Sequence, residues 1–111
     1  MEIKEIDPNK CINTIWDLAP EYSKAKGELA ELEAYKSSLK AIMMKKSNEQ
    51  SLGGQERESY ASQEYQNHCV AIGVATEKVE LLKWKILCAQ MRHETWKVEQ
   101  ANQRAFERAI K

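Results

Sequence analysis

Glycine and proline are scarce, four and two in 111 residues. A β-sandwich or barrel spends both at its many turns, so an all-β fold is excluded. A surplus of one charge is also missing: 17 Lys and Arg stand against 17 Asp and Glu. That balance excludes a strongly basic nucleic-acid module and an acidic mimic of nucleic acid, at the level of the whole chain. No stretch approaches the roughly 18 consecutive apolar residues of a membrane-spanning helix. Residues 1–7 alternate Ile with Glu and Lys and lack the apolar core of a signal peptide. The expectation is a cytoplasmic protein with no membrane partner. Cys11, Cys69 and Cys88 are odd in number, widely spaced and form no C-x-x-C pair. They are expected to be small buried hydrophobes in a reducing compartment, neither zinc ligands nor a disulfide framework.

What is abundant is Ala, Glu, Lys, Leu and Gln, the strong helix formers. The fold class expected is all-α, in one helical domain over residues 1–111. Asp7 can cap and Pro8 suits the first helical position. Cys11, Ile12, Ile15, Trp16 and Ala19 follow at amphipathic spacing, predicting a helix over about residues 8–19. Pro20 lacks an amide hydrogen and clashes with the preceding turn, so a kink or a fresh start is expected there. The pattern resumes over residues 21–46 through Ala25, Leu29, Leu32, Leu39 and Ile42 or Met43. Residues 47–55, SNEQSLGGQ, read as a hinge. A long helix is then predicted over about residues 56–109.

An antiparallel hairpin is the simplest arrangement, with paired residue numbers summing to about 102 if it turns near residue 51. Charge supports that pairing. Residues 1–33 hold eight acids and four bases, whereas residues 83–111 hold seven bases and three acids. Nearer the turn, residues 34–46 hold four lysines and no acid, against three glutamates and one arginine in 56–69.

The long helix carries two apolar stripes. Ile72, Ala75, Val79, Leu82, Ile86, Ala89, His93 and Trp96 share one sector. Val70, Val74, Leu81, Trp84, Cys88, Met91 and Val98 share another. The first suits the hairpin; the second needs a further surface, most simply a second copy. A homodimer in a four-helix or coiled-coil-like bundle is therefore expected, with Leu81, Trp84, Cys88, Met91 and Val98 at its interface. Trp84 is the anchor, since buried aromatics dominate interface energies. Trp16 and Trp96 are assigned to the core, Tyr60 and Tyr65 to its turn end. Two other arrangements use the second stripe differently: residues 11–19 folding back as a third helix, or a different protein docking on it. Parallel and antiparallel dimers both remain open, as does exchange through opening at Gly53–Gly54.

Chemistry has little to work with. His68, Cys69, Cys88 and His93 do not converge on a helix, and Glu28, Glu31, Glu33, Glu77 and Glu80 read as solvated. No phosphate-binding, dinucleotide, zinc or nucleophile-elbow motif occurs. No cofactor, no metal and no enzymatic activity are expected. The runner-up to a protein-interaction role is a dimeric nucleic-acid-binding accessory protein, using Lys97, Arg104, Arg108 and Lys111 on phosphates. Lys36, Lys40, Lys45 and Lys46 make a second basic patch near the turn.

Over residues 60–104, the Leu82-x-Trp84 stretch, Glu94-x-Trp96 and Gln100-Ala101-x-x-Arg104 resemble small helical proteins encoded in phage and prophage early regions. The resemblance covers less than half of the chain and carries no specific motif. It implies an accessory factor acting near recombination, replication or host defence, with a host or phage protein as partner.

Overall fold

The computed structural model describes residues 5–110. They form three helices: α1 (Pro8–Lys46), α2 (Leu52–Ala61) and α3 (Gln63–Ala109). The chain is all-α, and α1 packs along α3. Where one domain was expected, the contacts fall into two compact units, residues 1–22 with 81–111 and residues 23–80.

In the first unit the N-terminal part of α1 lies against the C-terminal part of α3. Asp7 starts α1 by accepting the Asn9 amide on its carboxylate at 2.9 Å, while its carbonyl accepts the Cys11 amide. Cys11, Leu82 and Ala89 are buried, and Leu18, Ile86, His93 and Trp96 are half-buried. Apart from its N-terminal members in the other unit, the inward stripe of α3 is thus the one expected. On α1 the expectation fails for Trp16, which is 79% exposed and not in the core. The buried line runs through Cys11 and Leu18, and Trp16 sits about 160° around the helix from Leu18.

No break occurs at Pro20, which lies inside α1. Of the two outcomes expected there, the fresh start at residue 21 is not found: residues 8–19 and 21–46 belong to one helix. Pro20 is exposed, as is Trp16, whose carbonyl loses its helical donor; water satisfies an exposed carbonyl that a buried site would leave stranded. The fold-back of residues 11–19 as a separate helix is therefore not found.

In the second unit, residues 23–46 of α1 meet α2 and residues 63–80 of α3, around buried Ala25, Leu39 and Val79. His68 Nε2 stands 2.6 Å from the Leu32 carbonyl, which only accepts, so that nitrogen carries the proton. The same ring meets Tyr35 edge-on at 5.6 Å. Ser59, the most deeply buried side chain, donates to the Lys40 carbonyl at 3.1 Å. The paired residue numbers sum to about 100, close to the expected antiparallel register.

The hinge and the long helix also differ from expectation. The linker is only residues 47–51, and Gly53 and Gly54 lie in the first turn of α2. Ser51 caps that turn, its hydroxyl accepting the Gly54 amide at 3.0 Å. The expected helix 56–109 is interrupted at Ser62, whose ψ of 146° is extended. Its hydroxyl donates to the Ser59 carbonyl at 2.7 Å and accepts the Tyr65 amide at 3.2 Å. One serine therefore closes α2 and opens α3.

Candidate functional site

The outward face of α3 in the first unit is the most distinctive surface. Leu81, Trp84, Met91 and Val98 are 56%, 61%, 64% and 57% exposed, and Cys88 is exposed with them. At about 100° per residue these side chains lie opposite the Leu82–Ala89 line that packs on α1. Their spacing of three and four, completed by exposed Thr95, is the 3.5-residue period of a coiled-coil seam. An ordinary amphipathic helix has its polar side there. Val70 and Val74, in the second unit, are exposed too.

The five residues assigned to an interface are thus all on the surface of the chain. Cys69 and Cys88, expected to be buried, are exposed; only Cys11 is buried. Neither lies on the line of α3 that packs against α1, although Cys88 reaches the edge of the cleft between the two helices, and nothing in their spacing distinguished them from Cys11.

Beside the seam, a cleft of about 410 Å³ runs between the two helices of the first unit, lined among others by Asp7, Cys11, Leu18, Lys85, Cys88 and Arg92. Its floor is apolar and its rim mixes both signs of charge. Among the described residues, no group of three or more His, Cys, Asp or Glu is placed to hold a metal ion. Among them too, no helix is long and apolar enough to cross a membrane.

Lys97, Arg104 and Arg108 fall within about 40° of one another around α3, over roughly 17 Å of its length. Lys97 holds Glu94 at 3.4 Å, Arg104 and Arg108 are exposed, and Lys111 lies outside the described residues. Glu107, between the two arginines, accepts from Gln103 at 3.3 Å.

At the turn end, Lys40 donates to Glu56 Oε1 at 2.8 Å and lies 4.8 Å from the centre of the Tyr60 ring. Tyr60 meets Tyr65 edge-on at 5.2 Å, and Lys36 lies 5.9 Å from the Tyr65 ring centre. The Glu56 carboxylate, with the Tyr60 hydroxyl second, holds the Lys40 ammonium above its ordinary range. The hydrogen bond from Lys40 in turn holds Glu56 below the usual carboxylate range. This is a pinned helix end: the expected opposition of lysines and glutamates becomes a real contact at Lys40–Glu56, while Tyr60, expected at the turn end of the core, is exposed and Tyr65 half-buried. The sequence reading missed Ser59, His68 as a carbonyl donor and the capping role of Ser62. Only Ser62, followed by Glu64 in a first-turn position, left a local signal.

Comparison with protein-family models, curated proteins and solved structures returns no match, so the surface itself carries the functional argument.

Proposed function

We propose that this chain is a non-enzymatic helical interaction module that associates with itself through the outward seam of α3. One observation carries the reading: Leu81, Trp84, Cys88, Met91 and Val98 form an exposed line at coiled-coil spacing, back to back with the stripe already used against α1. Covering that line removes a Trp, a Leu, a Met and a Val from water, and burial of apolar area drives association. In the setting its sequence texture resembles, such a module serves as a phage accessory or host-interaction factor.

Light scattering tests the reading directly. The wild-type chain is expected at twice its chain mass, and Trp84→Glu at the monomer mass with unchanged helicity by circular dichroism. A monomeric wild type at hundred-micromolar concentration overturns it. The nucleic-acid alternative draws on exposed Arg104 and Arg108. Binding through them should weaken steeply as salt rises, whereas an apolar seam holds.

A further inference from the structure

We propose that the flank of the first unit opposite the cleft binds a single strand of nucleic acid, its phosphates on Lys83, Lys97, Arg104 and Arg108 of α3 and a base stacked on Trp16 of α1. The inference goes beyond the self-association reading and does not depend on it. Around α3 the four cations lie about 140° from the seam, so a dimer through the seam leaves them open.

Two helices lying side by side leave a furrow along each flank of their contact. The cleft marks one flank, reached by Lys10 and Thr14 from α1 and by Lys85, Cys88 and Arg92 from α3. Measured from Cys11, Lys10 and Thr14 turn about 60–100° in one sense, and Ala19, Ile12 and Trp16 about 80–140° in the other. Measured from Ala89, the α3 residues of the cleft turn about 40–100° in one sense, and the four cations about 60–120° in the other. The second flank therefore has an apolar wall on α1 and a cationic wall on α3. Ile12 is 52% and Trp16 79% exposed, and the four cations are exposed as well.

Charge is sorted between the two flanks. Glu5 and Asp7 line the cleft, and Asp17, Glu21 and Glu99 turn to the same side. The cationic flank carries one carboxylate, Glu94, which is held by Lys97 at 3.4 Å. Among the described residues, Lys83, Arg104 and Arg108 have no ion-pair partner. A chain of zero net charge thus presents one side that attracts a polyanion.

The shape of the row selects a single strand. From Lys83 to Arg108 it runs straight for about 38 Å, 25 residues at 1.5 Å each. A duplex winds its phosphates away from a straight line within each turn of about 34 Å, so it meets such a row at only a point or two. A flexible single strand follows the row and keeps its bases free to stack on an exposed aromatic ring. Trp16 offers that ring across the furrow, with Ile12 beside it.

Fluorescence anisotropy of a labelled oligothymidine of about 12 nucleotides, titrated with the full chain, tests the assignment. The wild type is expected to bind, with log K falling against log salt at a slope of about −2.8, from 0.7 per phosphate over four contacts. Trp16→Ala should weaken binding by about fivefold or more with the slope unchanged, circular dichroism showing that so exposed a site leaves the helices intact. Lys97→Gln combined with Arg104→Gln should halve the slope to about −1.4. Lys85→Gln combined with Arg92→Gln removes the same charge from the cleft flank and should bind as the wild type does. An equal loss there overturns the proposal, because net charge and not this face would then hold the strand. No binding at about 50 mM salt overturns it, as does equal affinity for a duplex of the same length or an affinity indifferent to Trp16→Ala. The oligonucleotide is expected to bind Trp84→Glu as well, so a failure of self-association leaves the inference standing.

Discussion

Leu81 and Leu82 are neighbours of the same chemistry, and their truncation separates the two faces of α3. Leu82 is 7% exposed and Leu81 56%. Helix propensity changes identically when either becomes Ala, so the difference reports packing alone. Full burial of a leucine side chain is worth about 1.5–3 kcal/mol, and a partly relaxed cavity adds to its loss. Leu82→Ala is therefore expected to cost about 3 kcal/mol at every protein concentration. Leu81, with under half of its surface covered, should cost less than about 1 kcal/mol in the isolated chain. In the dimer its partner covers the remainder, so its cost should grow with concentration. Raising concentration about fifty-fold stabilises a folded dimer by about 2.3 kcal/mol, and Leu81→Ala should forfeit part of that gain. Urea unfolding followed by circular dichroism at a low and a high concentration measures both quantities. Equal costs for the two substitutions would refute the assignment of faces. A Leu81→Ala cost that ignores concentration would refute the seam as a self-association surface.

The paired glycines of α2 give a second contrast. A Cβ at Gly53 meets nothing within 4 Å, whereas one at Gly54 comes 2.9 Å from the capping hydroxyl of Ser51. Gly53→Ala should stabilise by about 1 kcal/mol through helix propensity, and Gly54→Ala should show no gain or a loss, because the cap it displaces is worth about as much. Thermal unfolding of the two variants decides; equal shifts would sink the account of the cap. The Lys40–Glu56 pair sets a pH window. Glu56 titrates below its ordinary 4.5, so its contribution is present above that value and disappears as pH falls through the depressed folded value. Lys40 titrates above its ordinary 10.5, so its contribution is present below that value and disappears only as pH rises through the raised one. Glu56→Gln should flatten the acid limb of melting temperature against pH, and an unchanged limb would show that the pair adds no stability in solution.

The sequence by itself determined that the chain is helical, that it doubles back near residue 51, and that α3 carries two apolar stripes. Composition and a period near 3.6 are local properties, and they survive whatever the tertiary contacts do. The register was legible for the same reason, since a single short connection leaves an antiparallel pair little freedom. Which apolar line of α1 turns inward was not legible. Ile12 and Trp16 are the more hydrophobic choice, yet Cys11 and Leu18 face α3. Which line packs inward is settled by the fit of the two helices against each other, a property of the pair and not of either strand of sequence. Pro20 likewise signals a break, but only its placement on the exposed side of α1 spares the helix a buried unsatisfied carbonyl. Ser59 on the Lys40 carbonyl and His68 on the Leu32 carbonyl join residues 19 and 36 apart. No local pattern encodes such bonds, because each exists only once the helices that bear its two ends have packed.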